Sequence, residues 1–186
     1  MFFTRKFKTG LAALTLALVV VLAAPTFARN TSGTAQEQVA DQLEKFKRTA
    51  YRLSHEADNL NAHTPGQLSW NSHTRKLNTL KDHVNEMGRT LAELEALKAF
   101  ANESQGMAIE HGRAHLVPIA QNVTQAIESV NENRHSIRSA EYSEAVSNIY
   151  EHADALYTKL DTILDFESAK VRLEALELQA APSEGD

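Results

Sequence analysis

The chain contains no cysteine, one tryptophan, seven glycines and four prolines in 186 residues. Without cysteine there is no disulfide framework, no thiolate metal centre and no sulfur nucleophile. Covalent haem attachment through Cys-x-x-Cys-His and a lipid-bearing cysteine after the first apolar run are excluded for the same reason. The sparse glycines form no phosphate-cradling loop. Long basic runs are also lacking: 19 Lys and Arg stand against 24 Asp and Glu, for a net charge of −5. An acidic chain of this kind is a poor partner for nucleic acid or an anionic membrane surface.

Only one long apolar run exists, and it lies at the N-terminus. Arg5, Lys6 and Lys8 precede an apolar stretch from Leu11 to Ala24, which Pro25 terminates before Thr26-Phe27-Ala28. Basic start, apolar middle and small-residue exit are the parts of a secretory signal peptide, with cleavage expected after Ala28. A permanent anchor would need about 20 apolar residues where this run has roughly 14. Removing residues 1–28 takes away three positive charges and no negative one, so the net charge moves from −5 to −8. The reading is of an exported protein, periplasmic or extracellular, with no stable membrane insertion after cleavage. Residues 29–33 read as a disordered mature N-terminus, 34–178 as one helical domain and 179–186 as a disordered tail.

Apolar spacing in the mature region is helical throughout. Thr34-Ala35-Gln36-Glu37 has the capping-box pattern, and Val39, Leu43, Phe46, Ala50, Leu53, Ala57 and Leu60 follow in alternating steps of four and three. A strand would require steps of two. Thr64-Pro65-Gly66-Gln67 reads as a turn and a second capping box. A second helix then carries Trp70, His73, Leu77, Leu80, Val84, Met87, Leu91 and Leu94, extended by Leu97 and Ala101, with a break at Asn102–Gly106. The third helix places Ile109, Gly112, Leu116, Ile119, Val123, Ala126 and Val130 on one face. Pro118 inside it predicts a kink near Ala114–Leu116, or two helices in place of one. After a polar turn at Asn131–Ser136, a fourth helix starts near Ser139 and runs through Tyr142, Val146, Ile149, Ala153, Leu156, Leu160 and Ile163 to Leu176.

Four amphipathic helices with short connections predict an all-α, antiparallel up-down-up-down four-helix bundle of long helices, preceded by a signal-peptide helix. The last helix is the longest, so its final turns should overhang the bundle and leave Leu173 and Leu176 uncovered. Folding helices two and three about Ser104 sets Gly88 opposite Ala120 and Gly112 opposite Ala96, which predicts that this interface is the closest.

Histidine is the only residue type whose abundance hints at a site, with eight in the chain. His111 and His115 are one turn apart, and the register brings Glu93 opposite, a set that zinc or copper would accept. The bland reading is a solvated pair on a wet face, and it carries more weight. His73 occupies a seam position and shares a bundle end with His63 and His135. These three read either as a pH-responsive or metal-binding cluster, or as one half-buried imidazole packed on Trp70, and the second is preferred. Met87 and His152 fall in about the same layer and suggest haem ligation, against the simpler view of Met87 as a flexible core filler. Glu93 with Glu95 and Glu174 with Glu177 lie on exposed faces and read as solvation. No Ser-His-Asp arrangement can be placed. Asn102-Glu103-Ser104 and Asn122-Val123-Thr124 match glycosylation sequons, which matter only in a eukaryotic secretory pathway.

Several segments carry a resemblance. Ser69-Trp70, His73, Leu77 through Gly88, Ala120 through Ile127 and Asn131-Glu132-Asn133 are similar to a family of small exported bacterial helical-bundle proteins without an assigned activity. It extends over most of residues 36–178, implies bacterial export and an all-α fold, and carries no catalytic residue. The expectation is therefore a non-enzymatic interaction or scaffold protein of the bacterial envelope, binding a protein partner or itself and holding no cofactor. The alternative is a metal or haem carrier using the histidines named above.

Overall fold

A computed structural model describes residues 34–64 and 69–180. The expected signal peptide, its cleavage site, residues 29–33, the Pro65–Gln67 portion of the first turn and the tail from 181 onward lie outside the described residues.

The described chain is all helical. Helix α1 spans Ala35–His63 and begins where the capping box lies. The Thr34 Oγ1 accepts the Glu37 N–H at 3.3 Å, and the Glu37 carboxylate accepts the Thr34 N–H at 2.6 Å. All seven seam residues from Val39 to Leu60 are fully buried. At the other end the sequence expectation needs correcting. Thr64 closes α1 and does not open the next helix: its hydroxyl donates to the Leu60 carbonyl at 2.7 Å. Helix α2, Trp70–Ala96, is capped by Ser69, whose Oγ accepts the Ser72 N–H.

A second correction concerns the α2–α3 connection. Leu97 ends α2, a short 3-10 turn follows at Lys98–Phe100, and α3 spans Glu103–Glu132. Asn102–Gly106 therefore caps and opens α3, and is not a break that closes α2. The physical reason is a capping box: Asn102 Oδ1 accepts the Gln105 N–H, and Gln105 Oε1 accepts the Asn102 N–H. Leu97 and Ala101 lie in the connection, where both still pack on the core.

Pro118 does not divide α3, which continues through it as one helix. A proline there has no N–H for the carbonyl one turn earlier. One turn on, the Asn122 side-chain amide donates to the Pro118 carbonyl at 2.8 Å. After a 3-10 turn at Ser136–Arg138, α4 runs from Ala140 to Ala180, with Ser139 Oγ accepting the Tyr142 N–H. At 41 residues it is about 60 Å long. It extends two residues past the boundary expected for the tail.

Cross-helix pairs fix the directions. Glu56 meets Lys76, Glu95 meets Arg113, Asn122 meets Asn148 and Lys47 meets Asp161. Between α1 and α4, moving from Lys47 to Tyr51 moves the partner from Asp161 back to Tyr157. Numbers rise on one helix as they fall on its neighbour, so adjacent helices run antiparallel. Helix α1 packs on α2 and α4, and α3 packs on the same two.

The closest-packed pair is α3 with α4, not α2 with α3 as the glycine pattern suggested. Gly88 is exposed, and a Cβ there would have nothing within 4 Å. Gly112 is buried but faces α1: a Cβ would lie 2.8 Å from Phe46 Cε1. Its lack of a side chain makes room for a phenyl ring, the largest apolar group of the α1 seam.

The core ends before α4 does. Leu160 is the last fully buried residue of α4, and every residue from Ser168 to Ala180 is exposed. Leu173 and Leu176 are uncovered as expected, at 57% exposure each.

Candidate functional site

Three places in the bundle carry polar or apolar features that packing alone does not require.

The first is the end that holds the start of α2 and α4. His73 is 1% exposed. Its Nδ1 lies 2.9 Å from the Tyr142 hydroxyl across the bundle diagonal, and the two rings meet edge to face at 5.5 Å. Burial, with the Lys76 charge nearby, holds His73 below the ordinary histidine pKa, and burial pushes the Tyr142 phenol up. The imidazole is thus neutral at pH 7 and satisfied by the phenol. At the same end the Trp70 indole N–H donates to the Val130 carbonyl at 3.2 Å, and the Arg134 guanidinium covers the ring at 4.7 Å. His63 is half-buried and His135 exposed. Among the described residues no three His, Asp or Glu side chains converge in a way that could hold a metal, so His63, His73 and His135 do not assemble into one site.

The second place is the α3–α4 interface. His115 turns toward α4, where its Nδ1 lies 3.4 Å from His152 Nδ1 and the rings are 5.6 Å apart. Glu93, the expected third ligand, is exposed on α2 and joins neither histidine. The register about Ser104 does hold for Glu95 and Arg113. The histidines point elsewhere because they lie on the same flank of α3 as Asn122, which meets Asn148 of α4. Burial lowers the His115 pKa first, with His152, His111 and Lys159 adding to it. His111, one turn away, is half-buried. The contact with His152 was legible in principle, because folding α3 and α4 about the 131–136 turn sets residue 115 near 152. Met87 is fully buried in the core, and His152 is half-buried beside His115.

The third place is where α4 leaves the bundle. The Asn102 side-chain amide donates to Glu167 Oε1 at 2.7 Å, tying α4 to the start of α3. Beyond it stand Phe166 at 65% exposure, with Leu173 and Leu176. On the flank between α1 and α4, Lys47, Arg48, Tyr51, Arg52 and Tyr157 line an open groove. Lys47 there is committed to Glu44, Asp161 and Asp165, which hold its pKa up against burial.

No helix among the described residues is long and apolar enough to cross a membrane. Comparison with family models, with curated proteins and with solved structures returns no match to this chain.

Proposed function

We propose that this chain is an exported, non-enzymatic up-down-up-down helical bundle that serves as an interaction or scaffold module of the bacterial envelope. One observation carries the reading: the overhang of α4 presents Phe166, Leu173 and Leu176 to solvent, each more than half exposed. Large apolar groups held along a rigid rod beyond the core contribute nothing to the bundle's own stability. Covering them with a partner would release ordered water at about 25 cal/mol per Å². The signal-like N-terminus supports export, and the acidic surface argues for protein rather than nucleic acid as the partner. Co-purification from the host envelope tests this. The full chain should retain a protein partner or itself, and a chain lacking residues 168–178 should lose it. Deletion without loss of either binding or assembly would overturn the reading.

A second reading, a metal carrier, is favoured by the His115–His152 contact. Zinc holds imidazole nitrogens at about 2.0–2.1 Å in a tetrahedron, which sets two such nitrogens about 3.3–3.4 Å apart. The two Nδ1 atoms stand 3.4 Å apart. The two histidines would supply two ligands, and solvent or small anions would complete the shell. Zinc and copper titration of the metal-free protein tests it, and absence of binding at pH 7.5 removes it.

A further inference from the structure

The apolar seam of α4 changes course at the point where the bundle ends. From Tyr142 to Ile163 it steps by four and three through Val146, Ile149, Ala153, Leu156 and Leu160. Continuing those steps leads to Glu167, Lys170, Glu174 and Glu177, all charged. The bundle seam therefore stops at Ile163. A second seam begins one residue earlier than the first would continue, at Phe166, Ala169, Leu173, Leu176 and Ala180, again in steps of three and four. One residue is about 100° of rotation on a helix. The overhang thus turns an apolar stripe away from its own bundle toward a flank.

We propose that this stripe pairs in parallel with the same segment of a second copy of the chain, forming a short two-stranded coiled coil. The proposal rests on the reading of the chain as an interaction module and names its partner.

Charge selects that occupant. With Phe166 and Leu173 at the first core position of each heptad, Asp165 and Arg172 flank the seam on one side and Lys170 and Glu177 on the other. Parallel chains bring each flanking residue against the one five positions later on the partner. The pairs are Asp165 with Lys170 and Arg172 with Glu177, opposite in sign and each formed twice by the two-fold axis. The antiparallel alignment that stacks Leu173 on Ala169 instead sets Arg172 on Arg172 and Lys170 on Lys170. The one that stacks Leu173 on Leu176 sets Lys170 against Glu177 but leaves Arg172 opposite Gln179 and takes Phe166 out of the seam. Only the parallel pair stacks the whole stripe and pairs both flanks. Arg172, Lys170 and Glu177 are exposed, whereas Asp165 already lies 3.8 Å from Lys47, so the Arg172–Glu177 pair is the stronger determinant.

The rotation of the seam also removes the steric objection to a parallel pair. If the second copy lay on the continuation of the bundle seam, it would occupy the direction of its partner's body. Displaced by about 100°, the two rods lie side by side and the two-fold axis sends the bundles to opposite sides. The segment is already helical, so pairing does not carry the cost of helix nucleation.

Sedimentation equilibrium of the full chain, expressed with its own N-terminus, tests the proposal. A concentration-dependent dimer is expected, and L173E/L176E should be monomeric with the thermal midpoint that the wild type reaches on dilution below its dissociation constant. R172E should weaken the dimer at least tenfold, and R172E/E177R should restore it, because both copies of the Arg172–Glu177 pair exchange sign and the Asp165–Lys170 pairs are untouched. A wild type that stays monomeric, a dimer indifferent to L173E/L176E, or a charge swap that fails to rescue would each overturn it. A monomer that still needs residues 168–178 to retain an envelope protein would end self-pairing and leave the interaction reading standing.

Discussion

Asn102 performs two tasks with one side chain: its Oδ1 caps α3 at Gln105, and its Nδ2 donates to Glu167 of α4 at 2.7 Å. Glu167 occupies the first position past Ile163 on the bundle seam. The carboxylate that ends the apolar stripe is therefore the group that fastens the rod at the point of exit. Asn102→Ala should cost about 1–2 kcal/mol from the lost cap. Glu167→Ala should cost less, since the cap survives. Urea unfolding of both variants measures this, and equal effects would show that the cap is not the larger part.

The two glycines should respond in opposite directions to alanine. Gly88 has open space around it, so Gly88→Ala should stabilise by about 1 kcal/mol through helix propensity alone. At Gly112 the new methyl would meet Phe46, itself fully buried and held by the core. Overpacking of that kind costs about 1–3 kcal/mol, which exceeds the propensity gain. A Gly112→Ala variant more stable than wild type would mean that the Phe46 ring has room to move.

Stability should fall toward acid and toward strong base. His73 and His115 have folded-state pKa values below the usual 6.5. As the pH drops below about 6.5, the unfolded chain binds protons at these positions that the folded chain does not, so unfolding is favoured. Tyr142 has the reverse sense. Its phenol stays protonated in the fold, so stability is lost above about pH 10, where the unfolded chain ionises. Urea midpoints from pH 8 down to 5.5 should decline, and His73→Asn with His115→Asn should flatten the decline. A flat wild-type profile would contradict burial of neutral imidazoles.

Zinc should raise the thermal midpoint of the wild type at pH 7.5 if the His115–His152 separation is a chelating geometry. His152→Ala should abolish the shift, and so should His115→Ala. Because ligand binding to the native state stabilises by mass action, a hundredfold excess over Kd corresponds to about 2.7 kcal/mol. Calorimetry with and without zinc reads this directly. A shift that survives His152→Ala would place the metal elsewhere.

Tyr142→Phe should destabilise by about 1–3 kcal/mol, because it leaves the His73 Nδ1 buried without a partner. The double variant with His73→Leu should recover part of the loss, since an apolar pair leaves no unsatisfied nitrogen. Thermal unfolding of the single and double variants separates the two cases.

Spacing along the chain is enough to show which side chains line the seams. Steps of three and four place residues on one face of a rod wherever the rod lies, so every seam residue from Val39 to Leu60 was legible without coordinates. The caps at Thr34 and Ser139 were legible for a similar reason, since each bond closes within a few residues. The Asn102 cap is equally local, closing on Gln105 three residues on, but Asn102–Gly106 read as a break because its polar residues and glycine also suit a turn. Which flank of each helix meets which neighbour is settled by the packing of the folded chain. Periodicity gives a core direction but not the rotation of the remaining polar residues around it. His115 therefore could be drawn toward Glu93 on α2 when it in fact meets His152 on α4, and Gly112 toward Ala96 when it accommodates Phe46. Those contacts depend on how four rods settle against one another, a balance of side-chain volumes far apart along the chain.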